Sequence, residues 1–124
     1  QFDAVFFGGP VARSMLLFLV RGGEQPARSL HVLEDVYLSG DRELLERVMS
    51  GEATPLAFRA YAGYSGWAPG QLQAEILRGG WYLTKADAGT IFAADPATVW
   101  PELVRKLSAR QTHYGGTGAS VIVR

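Results

Sequence analysis

At 124 residues, with 48% apolar and 19% charged side chains, the chain is long enough to bury a core and is composed like an ordinary folded domain. Twelve basic side chains face twelve acidic ones, so no net charge draws the molecule onto a phosphate backbone. The absence of cysteine removes disulfides, thiolate nucleophiles and cysteine-ligated metal or iron–sulfur sites, and fits a reducing compartment such as the cytoplasm.

The longest apolar run, Met15 to Val20, is six residues. It is too short to span a bilayer and is not laid out as a signal peptide, so no membrane role is expected. Gln1 leads straight into a strand-like run, and a further N-terminal portion is expected before it.

In chain order, Phe2 to Phe7 is aromatic and β-branched and stops at Gly8-Gly9-Pro10, a strong turn signal. Met15 to Val20 reads as a strand buried on both faces. Gly22 to Pro26 reads as a loop, and Leu30 to Leu38 as an extended stretch broken near Glu34-Asp35. Asp41 caps a helix whose inner face carries Leu44, Leu45, Val48 and Met49, and Gly51 ends it. Leu56 to Tyr64 alternates like a strand.

Pro69 suits the first turn of a short helix bearing Leu72, Ile76 and Leu77, which Gly79-Gly80 stops. Trp81 to Leu83 reads as a strand, and Asp87 to Phe92 as a short helix or turn. Because Trp100 precedes Pro101, the backbone there is expected to turn, with a helix only from Pro101 to about Ala109. Gly115 to Gly118 reads as a flexible tail, and Ala119 to Val123 as a last edge strand or an ordered tag remnant. Strands outnumber helices and alternate with them irregularly. The expected class is therefore α+β, a single compact domain over residues 1–110 on one mixed sheet with short flanking helices, and a tail over 111–124.

Most chemistries find no support in the residues. Ser65 in Gly63-Tyr64-Ser65-Gly66-Trp67 lacks the second glycine of a nucleophile elbow, and only His31 and His113 are available as a base. Those two histidines have no metal-ligand spacing, and Asp35, Asp41 and Glu43 are better explained as caps or solvated carboxylates. Gly8-Gly9 follows a strand, but Pro10 removes an N–H that an anion would need, and no basic helix start follows. No catalytic group, metal or cofactor is expected.

What remains is the stretch from Gly63 to Leu72, with three glycines, one proline, Tyr64 and Trp67. Trp67 and Trp81 could simply fill a core. The functional alternative holds Tyr64, Ser65 and Trp67 on a loop at a strand end, backed by Gln71 and Glu75. Aromatic surface with amide hydrogen bonds suits a protein partner or a small ligand. The candidate binding residues are Gly8, Gly9, Pro10, Gly63, Tyr64, Ser65, Gly66, Trp67, Gly70, Gln71 and Glu75. Direct DNA binding as a regulator is the alternative, with Arg105, Lys106 and Arg110 as its basic group. An enzyme with a polar group at Ser65, Gln71 and Glu75 is the third.

Gly8-Gly9-Pro10-Val11, Gly63-Tyr64-Ser65-Gly66-Trp67, Pro69-Gly70-Gln71-Leu72, Glu75 and Trp81 together resemble the AlgH/YqgE family of bacterial proteins. The resemblance covers nearly all of residues 2 to 108, including Asp95-Pro96 and Trp100. Ser65 stands where the family commonly has Ala, and Gln73 where it has Glu. The strand after Gly-Gly-Pro-Val lacks the common Val-Leu-His ending, and the family's N-terminal part with its Asn-Arg-Pro motif has no counterpart. The resemblance implies a compact α/β domain with a strongly curved, bulged sheet. The family is described as transcriptional regulators, with no biochemical activity assigned. No helix-turn-helix with a basic recognition face accompanies it here.

Overall fold

The computed structural model describes residues 4–110 and 120–123, with side chains through residue 107. Its contacts divide the chain into two compact units, residues 1–66 and 67–124.

The first unit is a five-stranded mixed sheet with one helix. Its strands are β1 (Val5–Phe7), β2 (Val11–Arg21), β3 (Ser29–Leu33), β4 (Val36–Ser39) and β5 (Ala57–Tyr64), in the order β1-β5-β2-β4-β3. β1 runs parallel to β5, and the other pairs are antiparallel. The break at Glu34-Asp35 is a hairpin turn, with Glu34 in a left-handed conformation at φ 45°.

Helix α1 (Arg42–Met49) begins where Asp41 accepts the Glu43 amide at 3.2 Å, as its sequence indicates. The helix lays Leu44, Leu45 and Val48 on Phe18, Val20, Phe58 and Ala60. Phe18 is 2% exposed and stacks on Phe58 with ring centroids 5.5 Å apart. Burying such a side chain stabilises by about 1.5–3 kcal/mol.

Several local expectations are corrected. Met49 is exposed and is not among the α1 residues packed on the core, which are Leu44, Leu45 and Val48. β2 is buried on one face only: Phe18 and Val20 are buried while Leu17 and Leu19 are half-exposed. It also starts earlier than its apolar run. Val11 pairs with Tyr64 and the next pairing is Leu16 with Ala62, so residues 12–15 bulge out of the ladder. Ala12, at φ 49°, sits at the start of that bulge.

The second unit contains α2 (Gln71–Leu77), β6 (Tyr82–Lys85), α3 (Ala88–Ile91), a 3₁₀ turn over Pro96–Thr98, α4 (Val99–Arg110) and β7 (Ser120–Val123). β6 and β7 form an antiparallel ribbon, a second sheet beside the one expected, and α4 packs on both strands. Asp87 caps α3, accepting the Thr90 amide at 2.7 Å and the Thr90 hydroxyl at 3.0 Å.

Trp100 is helical after all. Pro101 falls in the first turn of α4, where its missing N–H has no intrahelical acceptor to lose. Leu77, the last residue of α2, is 88% exposed. The Gly115–Gly118 tail and His113 lie outside the described residues. Across both units the chain is an α+β protein. No helix among the described residues is long and apolar enough to cross a membrane.

Candidate functional site

The candidate residues fall into two groups. In the first unit, three glycines bring the ends of β1, β2 and β5 into backbone contact. The Gly8 amide donates to the Ala62 carbonyl at 2.8 Å. A Cβ on Gly8 would run into the Gly63 carbonyl, and one on Gly9 into the Tyr64–Ser65 peptide. Gly63 has φ 77°, and a Cβ there would strike the Gly9 carbonyl and approach that of Val11 to 2.9 Å. Only glycine fits such an approach. Gly8 and Gly9 therefore lie against the Gly63–Ser65 segment. The crossing leaves Tyr64 38% exposed, with Pro10, Ser65 and Gly66 on the surface.

The second group is built around Glu75. Ala68-Pro69-Gly70-Gln71 is a type II turn, closed by the Gln71 amide donating to the Ala68 carbonyl at 3.0 Å. Gly70 supplies the left-handed residue at φ 80°, ψ −10°. Pro69 thus belongs to this turn and not to α2, because the helix cannot begin until the chain has left Gly70. The Gln71 side chain reaches back to accept the Ala68 amide at 3.0 Å.

At the other end of α2 the Gly80 amide donates to the Glu75 carbonyl, and the Gly79 amide to that of Ile76. This Schellman closure, with Gly79 at φ 80°, turns the chain so that Trp81 comes back over the helix.

The Glu75 carboxylate collects three donors. Trp81 Nε1 reaches Oε1 at 2.8 Å, Trp67 Nε1 reaches the same oxygen at 3.4 Å, and Gln71 Nε2 reaches Oε2 at 3.1 Å. The two indoles meet edge to face, with centroids 6.0 Å apart and planes at 64°. Trp81 is half-buried, whereas Trp67 is 40% exposed. Trp81, absent from the candidate set, is thus a full member of this group. Its position directly after Gly79-Gly80 was the available signal.

A family model described as DUF179, AlgH-like, matches residues 1–112. The chain belongs to the AlgH-like family. A UPF0301 protein of Chlamydia abortus is 34% identical to it over 103 residues, which is 83% of this chain and 54% of that protein. A UPF0301 protein of Methylococcus capsulatus is 35% identical over 101 residues, 82% of this chain and 55% of that protein. The AlgH-like chain therefore spans about half the length of the curated relatives it matches.

Among solved structures, the solution structure of AlgH from Pseudomonas aeruginosa superposes with a TM-score of 0.68 at 25% identity. That match covers 92% of the present chain and 60% of the other. Other parts of the AlgH-like molecule offer clefts. One of about 340 Å³ in the first unit is lined by residues including Gln25, Arg47 and Thr54, and one of about 260 Å³ in the second by residues including Asp87, Glu102 and Lys106. Neither is lined by a residue of the Gly8–Pro10 or Gly63–Glu75 candidate set, and Lys106 of the basic group lines the second. Among the described residues, no three His, Asp or Glu side chains cluster as metal ligands would.

Proposed function

We propose that this AlgH-like chain is a non-enzymatic binding domain that engages a protein or small ligand through the Trp67–Gln71 segment, with Trp67 as anchor. The carrying observation is that Trp67 is exposed yet tethered. Its indole nitrogen is held by Glu75 and its ring edge by Trp81, while 40% of the residue stays in contact with solvent. A large aromatic side chain fixed in place loses little rotamer entropy on binding, which is what an interface anchor requires.

The nearby carboxylate supports the same reading over an enzymatic one. Glu75 takes hydrogen bonds from two indoles and an amide, and so serves to position rings. A regulatory role, in this reading, runs through contact with a partner at Trp67.

The test uses the three indole N–H resonances of ¹⁵N-labelled protein, assigned with Trp67→Ala. Partners recovered with the wild-type protein should shift the Trp67 signal and be lost from the Trp67→Ala variant, whose melting temperature stays within a few degrees of wild type. Equal recovery by the variant would sink the proposal.

A further inference from the structure

β6 belongs to the family region, while its partner strand does not. The family match ends at residue 112, and β7 begins at Ser120. The two strands nevertheless pair antiparallel in continuous register, from Tyr82 opposite Val123 to Lys85 opposite Ser120. Among the described residues β6 pairs with no other strand, and α4 packs on the ribbon. A sheet edge carries backbone donors and acceptors that need partners, and adding an extended peptide is a recurring way to satisfy them. The strand in place shows the kind of sequence that suits the edge: Val121-Ile122-Val123 is three consecutive β-branched residues, the composition favoured in strands.

We propose that the β6 edge is an acceptor site for an extended, antiparallel peptide with three consecutive β-branched residues, and that Ser120–Val123 fills it in cis. The site is independent of Trp67 and of the function proposed above. The second strand is four residues long and pairs with β6 alone among the described residues, so exchanging it breaks only one short ladder. A strand joined covalently to the same chain competes with any peptide supplied in trans.

The full-length chain carrying Val121→Pro and Ile122→Pro tests this, since proline cannot donate to the ladder. A fluorescent peptide of residues 118–124 should bind the double variant about tenfold or more tighter than wild type, because the competing strand is gone. Hydrogen exchange at Tyr82–Lys85 should accelerate in the variant and slow again with peptide. Equal peptide affinity for both proteins, or exchange at Tyr82–Lys85 that ignores the prolines, would overturn the proposal. So would a variant that dimerises and leaves no edge for peptide, which would assign the edge to a second copy. Should the double variant fail to fold, excess unlabelled peptide on wild type gives the second measurement. Displacement should speed exchange at Val121–Val123 while Tyr82–Lys85 stays protected, and no displacement at millimolar peptide counts against the site.

Discussion

Glu75 shows how much one side chain can organise. Its three donors come from before, within and after α2, at sequence separations of eight, four and six residues. Hydrogen bonds to a charged acceptor contribute about 1.5–3 kcal/mol each when buried, and less where solvent reaches them as it does here. Glu75→Ala should therefore cost about 1–3 kcal/mol in chemical denaturation and free the Trp67 indole. Tryptophan emission should move to longer wavelength in the native state. An unchanged spectrum would mean that Glu75 does not hold the rings.

Tyr61 offers a second test at this scale. Burial between β1 and β2 pushes its phenol above the ordinary value of 10.0, with the Arg59 guanidinium pulling the other way. An acid whose folded value is raised ionises first in the unfolded chain, so the unfolded state then binds fewer protons and stability falls with rising pH. The loss sets in as pH passes about 10 and continues until the folded group also titrates. Denaturation of wild type and Tyr61→Phe between pH 8 and pH 11 should show a steeper decline for wild type, within about one order of magnitude in the unfolding constant per pH unit.

Among the elements, the glycines divide by what surrounds them. Gly63 combines a left-handed backbone with carbonyls where a side chain would go, Gly79 is left-handed in open space, and Gly66 is in open space without a left-handed backbone. Gly63→Ala should therefore cost more than about 2 kcal/mol, Gly79→Ala about 1–2 kcal/mol, and Gly66→Ala within about 0.5 kcal/mol. Urea midpoints of the three variants check the ranking, and a tolerated Gly63→Ala would contradict the backbone crossing.

The same elements show what could be read in advance. Asp41 as a cap and the Glu34-Asp35 break were legible because each depends on neighbours in sequence, whereas the packing of Gly8-Gly9 on Gly63–Ser65 joins residues far apart in the chain. The bulge over residues 12–15 was not legible, since it exists only relative to β5. Trp100-Pro101 misled because pre-proline sterics outweighed, on paper, the tolerance of a first helical turn. The grouping of Trp67 with Gln71 and Glu75 was read in advance, but that Trp81 joins them was hidden, because it depends on the Gly79-Gly80 turn directing a second indole to the same carboxylate.

For the whole molecule, the balance of twelve positive and twelve negative side chains bears most directly on the choice of partner. Of the basic group on α4, Arg105 and Lys106 are exposed, and Arg110 lies where only the backbone is described. Glu102 is exposed one turn before Lys106, so opposite charge accompanies the patch on its own helix. A protein that neutralised several phosphates would show affinity falling with a log–log salt slope of about −0.9 per contact. With no net charge, duplex DNA should bind more weakly than about 10⁻⁴ M at physiological salt. Fluorescence anisotropy with a labelled duplex, from low to physiological salt, decides the matter, and Arg105→Ala with Lys106→Ala should leave the curves unchanged. Tight binding with a slope of −3 or steeper, abolished by those substitutions, would move the partner from protein or small ligand to DNA. Salt-insensitive association with another partner, lost with Trp67→Ala, is the outcome an apolar anchor on a neutral molecule dictates.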